Sequence, residues 1–309
     1  MNYAPIIIFC YNRLDHLQRV INALKENSLA KQSTLYIFSD GYKNTTDKKQ
    51  VLSVRSYLRS IDGFNTIQIN ESANNKGLAA SIIEGVTSII NQYEKVIVLE
   101  DDCVVSPYFL DFMNNALNTY QHDENVMHVN GYIPKINTSN LPETFFIHHM
   151  FCWGWGTWKN SWDLFEKNPG RLLSTFNSKM KYKFDFNGNY DAYIQIIRNH
   201  KRQINTWAVF WSSIIFINKG FCLTTKQSLI QNIGTDASGE SFQFFTNKYD
   251  VDLYQKAIAY FPEKIEESQE AYDALVEFYK SHKLTYWGHV KSKTKKIFKL
   301  FFKSISMFH

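Results

Sequence analysis

The sequence lacks the signatures of most cofactor-binding and secreted proteins. Its four cysteines, Cys10, Cys103, Cys152 and Cys222, show no Cys-x-x-Cys spacing, which argues against a disulfide framework or a zinc site and favours a reducing compartment. No Gly-x-Gly-x-x-Gly and no Gly-x-x-x-x-Gly-Lys-Ser/Thr motif occurs, so neither a dinucleotide dehydrogenase nor a P-loop enzyme is expected. No apolar run approaches the roughly twenty residues of a transmembrane helix, and no internal repeat is present. A strand pattern begins within a few residues of Met1, leaving no room for a signal peptide; a cytoplasmic location is expected. Acidic residues and arginine are absent from residues 291–309, which hold six lysines, whereas the other 290 residues carry a net charge of −1. The basicity of the chain is therefore a tail rather than a nucleic-acid-binding face.

What is present is a strict alternation. Buried-strand patterns at Ala4–Cys10, Leu35–Phe38, Thr66–Ile69 and Lys95–Glu100 are separated by stretches with apolar residues at helical spacing: Leu14, Leu17, Val20, Ile21 and Leu24, then Val51, Val54, Leu58 and Ile61, then Leu78 to Ile90. Four strands and three helices in that order predict an α/β fold with a doubly wound nucleotide-binding sheet. A helix from Tyr108 to about Tyr120, a strand at Val126–Gly131, a helix from Tyr190 to about His200 and an acidic amphipathic helix over 266–282 follow, with Gln231–Asp236 read as a loop. Aromatic residues make up 16% of the chain and are densest over 145–165, which suits either a large core or stacking on planar bases and sugar faces.

The fourth strand runs into Glu100-Asp101-Asp102. Three adjacent carboxylates repel one another unless a positive charge sits among them, and carboxylate oxygens are the ligands of Mg²⁺ and Mn²⁺. The strand's carboxyl end is where ligands bind in open α/β sheets. A solvated acidic turn is the plainer alternative.

Pro5–Arg13, Ser39-Asp40-Gly41, Asn75-Lys76-Gly77-Leu78-Ala79 and Leu99–Asp102, in that order, resemble GT-A nucleotide-sugar glycosyltransferases of the bacterial family-2 type, with features similar to N-acetylglucosaminyltransferase I. Gly154–Trp158 and Ser228–Gly234 match stretches of the same family. The resemblance implies a GT-A mixed sheet with helices on both faces: a nucleotide-sugar-binding half over 1–130, an acceptor-binding half over 131–262, and a C-terminal helical region over 263–309. It implies that Asp102 holds Mn²⁺ or Mg²⁺ bridging the phosphates of a nucleotide-sugar, most simply a uridine one. Glu100 and Asp101 would bind ribose and sugar hydroxyls, Asp40 the base, and Tyr11, Arg13 and Lys76 the base or phosphates. Trp153, Trp155 and Trp158 would form a wall for a glycan or lipid-linked glycan acceptor. Each has a plainer alternative: a turn for Asp40, a solvated lysine for Lys76, a simple ion pair for Arg13, core for the tryptophans.

The implied reaction is an inverting hexosyl or N-acetylhexosaminyl transfer in surface polysaccharide or glycoconjugate synthesis, which needs a base for the acceptor hydroxyl. Relatives often carry an Asp just before the Trp-Ala at 207–208, where this chain has Asn205-Thr206. Asp191 is the first substitute, Asp236 the second and Glu240 the third. A nucleotidyltransferase and a catalytically weakened nucleotide-sugar-binding subunit are the competing readings. In the tail, Ile297, Phe301, Ile305 and Phe308 fall opposite Lys295, Lys296, Lys299 and Lys303, the pattern of a helix lying on an anionic membrane.

Overall fold

In the computed structural model, residues 3–236 and 248–283 are described. The expected alternation is realised as β1 (Ile6–Cys10), α1 (Leu14–Lys25), β2 (Thr34–Ser39), α2 (Thr45–Leu58), β3 (Thr66–Glu71), α3 (Leu78–Tyr93) and β4 (Lys95–Glu100). Then come β5 (Cys103–Val105), α4 (Phe109–Thr119), β6 (Val126–Asn130), β7 (Thr144–Ile147), β8 (Trp155–Trp158) and the short α5 (Lys159–Trp162). A helical segment, α6 (Pro169–Thr175), α7 (Ser178–Phe184), α8 (Ala192–His200) and α9 (Ala208–Ile217), leads to β9 (Phe221–Thr225), β10 (Ile230–Asn232) and finally α10 (Gln269–Ser281).

Eight strands form one mixed sheet in the order β3-β2-β1-β4-β8-β6-β9-β7. β1, β2, β3 and β4 are parallel, and β8 joins antiparallel between β4 and β6. Strands from both halves of the chain thus share one sheet. Successive side chains of a strand point to opposite faces, and helices cover both. Ile6, Ile8, Ile37 and Leu99 pack with α1, α2 and α4, whereas Ile7, Phe9, Val96 and Val98 pack with α3, α9 and α10. This is the α/β, Rossmann-like class read from the sequence. A smaller cluster of Leu172, Phe176, Phe184, Ile196 and Phe210 binds α6 to α9 together.

Two segments depart from the sequence reading. Gln231 and Asn232, expected as the start of a loop, belong instead to β10, which pairs antiparallel with β5 and sets Asn232 opposite Cys103. Trp155–Trp158 is an interior strand. Among the described residues no helix is long and apolar enough to cross a membrane. The lysine-rich tail and Glu240 lie outside the described residues.

Candidate active site

Because β1, β2 and β4 are parallel neighbours, the residues that follow them emerge at one edge of the sheet. There they line an open cleft of ≈ 890 Å³, mouth included, that contains Tyr11, Arg13, Asp40, Glu100, Asp101 and Asp102 together with Trp153, Asn232 and Gly234. Six residues singled out from separate stretches of sequence therefore share one surface.

The acidic cluster is not solvated. Asp101 is 3% and Asp102 8% exposed. Arg13, which precedes α1, donates Nη2 to Asp102 Oδ2 at 2.8 Å and also to Asp101 Oδ1. Burial opposes the guanidinium's charge, yet the two aspartates hold its pKa above the ordinary value. Asn232 Nδ2 donates to the other oxygen of Asp102 at 3.1 Å, and Ile233 N donates to the Asp102 carbonyl at 2.9 Å. Gly234 closes this turn against the cluster: a Cβ there would collide with the Asp102 carboxylate and lie 2.9 Å from Arg13 Nη1. Sequence reasoning missed Asn232 and Gly234 as partners of Asp102, although both lie in a stretch that matched the family.

Glu100 differs from its two neighbours. Among the described residues its carboxyl group makes no hydrogen bond or ion pair. Burial and the charges of Asp102 and Asp101 push its pKa up to about 8. Three carboxyl groups thus share one guanidinium, an excess of negative charge that a divalent cation would relieve. No three His, Cys, Asp or Glu side chains among the described residues form an all-protein metal cage. Hard oxygen donors few in number fit an ion of the Mg²⁺ type, which is held by one or two carboxylates and completes its shell with substrate phosphates and water. Asp102 is the residue that would hold such an ion.

Asp40 occupies the same edge in a different role. Its Oδ1 accepts from Gly41 N at 2.8 Å and Lys76 N at 2.9 Å, and its Oδ2 from Gly77 N at 2.8 Å and Asn75 Nδ2 at 3.0 Å. Four donors fill the capacity of a carboxylate, so the expected contact with a base has no open oxygen, and the carboxylate instead ties the loop after β2 to the loop before α3. Gly41 permits this approach, since a Cβ there would run into the backbone of Asn74 and Asn75. Arg55, unremarked in the sequence, reinforces the junction by donating to the carbonyls of Asp40 at 3.2 Å and Ser72 at 2.6 Å. Lys76 contributes its backbone N–H here, but its ammonium lies 2.6 Å from Glu84 on the surface. The solvated-lysine alternative describes it.

Tyr11 forms one wall of the cleft with Phe38 and Leu78. Its hydroxyl donates to Asp47 at 2.7 Å and accepts from Lys43 N at 3.1 Å, which fixes the ring, while burial and the bond to Asp47 raise its pKa to about 12.

The tryptophans divide. Trp153 lines the cleft and meets Tyr132 and Tyr249 edge to face, with ring centroids 4.6 and 5.6 Å apart. Trp155 and Trp158 are 1% and 5% exposed. Trp155 stacks on His128 and Trp207 on one side of the sheet, and Trp158 donates Nε1 to the Leu117 carbonyl on the other. Burial in the core withdraws both from the expected acceptor wall.

Of the candidate bases, Asp236 ends the turn that begins at Asn232, and its Oδ2 lies 3.2 Å from His16 Nε2 of α1. Asp191 is exposed at the start of α8, beside Lys248, and neither aspartate is among the residues that line the cleft.

No protein-family profile matches the chain, and no curated protein matches it. Among solved structures, the chain is similar at 14% identity to S. aureus TarS, with a TM-score of 0.34 over 46% of this chain and 24% of that one. It is similar at 8% identity to the mannosyltransferase PcManGT from Pyrobaculum calidifontis, solved with GDP-Man and Mn²⁺, with a TM-score of 0.38 over 70% of each chain. A UDP-glucose pyrophosphorylase complexed with UDP-glucose aligns at 10% identity, with a TM-score of 0.35 over 72% of this chain and 90% of that one. Overlap this low leaves the chemistry of the site to be read from its own geometry.

Proposed function

We propose that this chain is a glycosyltransferase that takes a sugar from a nucleoside-diphosphate donor, with a divalent ion at Asp102. The observation that carries the reading is the convergence, in one cleft at the carboxyl ends of β1, β2 and β4, of a fixed aromatic wall, a half-buried arginine and three carboxylates. Departure of a nucleoside diphosphate develops negative charge on the leaving oxygens, and preorganised cations at that point are the largest available source of rate. A bound Mn²⁺ or Mg²⁺ would act there as a Lewis acid on the diphosphate. Tyr11 and Phe38 would flank the base, Asp101 and Glu100 accept from ribose or sugar hydroxyls, and Arg13 face the phosphates.

Inversion requires a base on the acceptor side. Asp236 is the better placed candidate, because its turn packs directly on Asp102, and His16 faces its carboxylate. Trp153 is the one member of the expected acceptor wall that lines the cleft. A uridine donor, a glycan or lipid-linked glycan acceptor, and membrane contact through residues 291–309 complete the reading.

Incubation with UDP-, GDP- and dTDP-sugars, with and without Mn²⁺, tests it. Release of the nucleoside diphosphate, even slowly to water, is the expected result. Release of nucleoside monophosphate and sugar phosphate would reveal nucleotidyl chemistry, and failure to turn over any donor would leave a nucleotide-sugar-binding subunit.

A further inference from the structure

The ion assigned to Asp102 and the ion pair observed there claim the same atom. Asp102 Oδ2 accepts from Arg13 at 2.8 Å and Oδ1 from Asn232 at 3.1 Å. Gly234 packs so closely on Oδ2 that not even a methyl group fits between them. A cation at this carboxylate would therefore sit directly beside the Arg13 guanidinium. Arg13 itself is incompletely used: Nη2 serves both aspartates, whereas Nη1 is buried and has no hydrogen-bond partner among the described residues. A buried donor without an acceptor is costly, and the residue that carries it lines the cleft where an anionic diphosphate is expected.

We infer that Arg13 is an exchangeable counter-ion, which holds Asp101 and Asp102 together before the metal arrives, is displaced from Asp102 by it, and passes to the diphosphate of the incoming donor. The inference rests on the reading of Asp102 as the metal ligand. Without Arg13, three carboxyl groups would face one another in a buried site with no compensating charge. With it, a divalent ion held at Asp102 would compete with a charge-assisted hydrogen bond from Arg13. A guanidinium is suited to both positions, because its planar fork pairs equally well with carboxylate and phosphate. Metal binding in the absence of nucleotide is therefore opposed by Arg13, and nucleotide relieves the opposition by giving the guanidinium a new partner.

The sign of this effect separates it from a purely supporting role. Titration calorimetry with MnCl₂ alone, on the wild type and on Arg13→Gln, Arg13→Lys and Asp102→Asn, reads it directly. Loss of one charge-assisted bond should tighten Mn²⁺ binding by about tenfold in Arg13→Gln. Arg13→Lys should fall between the two, since it keeps the positive charge on a shorter and more strongly hydrated group. Mn²⁺ should also raise the unfolding temperature of Arg13→Gln more than that of the wild type. If Arg13→Gln does not fold without metal, the ordering of Arg13→Lys against the wild type decides. Equal or weaker Mn²⁺ binding in the Arg13 variants, with binding still lost in Asp102→Asn, overturns the counter-ion role and leaves Asp102 as the ligand. No Mn²⁺ binding to any variant overturns both.

Discussion

Asp40→Asn is the most informative single substitution, because it preserves shape and removes only charge and one acceptor. Four N–H groups, from Gly41, Asn75, Lys76 and Gly77, converge on the two carboxylate oxygens at 2.8 to 3.0 Å. In asparagine one oxygen becomes an NH₂ whose protons point at two of those donors, whichever way the amide is turned. Two donors, at least one of them only partly buried, lose their acceptor, and the other two bonds lose their charge assistance. At about 1–3 kcal/mol for each unsatisfied donor, the variant should lose about 2–6 kcal/mol, a large part of a typical total stability of about 5–15 kcal/mol. Urea unfolding followed by far-UV circular dichroism measures this as a lower midpoint at unchanged slope. Nucleotide affinity should weaken with it, because the loops tied together by Asp40 form one wall of the cleft. A loss below about 1 kcal/mol, far under the cost of two orphaned donors, accompanied by abolished nucleotide binding, would refute the structural role and restore Asp40 as a carboxylate held open for the base.

The tryptophans and a buried histidine supply the remaining tests. Trp155→Ala should cost about 3–5 kcal/mol, the usual price of a large cavity in a packed core, while Trp153→Phe should fold normally and lose the change in tryptophan fluorescence caused by nucleotide; a mild Trp155→Ala, or an unaltered fluorescence response in Trp153→Phe, would reverse their assignments. His149 is 3% exposed among Phe184, Phe186, Phe216 and Tyr272, and neither ring nitrogen has a hydrogen-bond partner. Burial, aided by the charge of neighbouring His148, lowers its pKa from 6.5 to about 3. Between those values the unfolded chain binds a proton that the folded protein does not, so the contribution to stability is complete above about pH 6.5 and is lost as the pH falls toward 3. His149→Phe should flatten that part of the stability–pH curve, and an unchanged slope would show that the histidine is solvated.

Much of this site is legible in the sequence, and the part that is not has a physical cause. The strands and helices up to Glu100 carry long apolar runs and helical periodicity, so their order places Arg13, Asp40 and Asp102 at adjacent strand ends without any structure. Strand Trp155–Trp158 is invisible to the same reasoning: four residues interrupted by glycine show no period, and large aromatics suit a core and a ligand wall equally. Only the pleat decides, sending Trp155 and Trp158 to opposite faces and leaving Trp153 at the cleft. Asn232 and Gly234 meet Asp102 through pairing of strands that lie far apart in sequence, and nothing local announces such a contact. Residue type also says nothing about how many partners a side chain already has. Asp40 and Lys76 have the expected chemistry and stand in the expected loops, but one is saturated by backbone donors and the other faces Glu84.

The central claim is that the cleft releases a nucleoside diphosphate from a nucleotide-sugar with the help of an ion at Asp102. Measuring nucleoside diphosphate release from UDP-sugars by the wild type and by Asp102→Asn, each with and without Mn²⁺, tests it most directly. The account predicts Mn²⁺-dependent release by the wild type and at least a hundredfold loss in Asp102→Asn, about the size of removing one preorganised electrostatic contact at a leaving group. Equal release by the two proteins would contradict it.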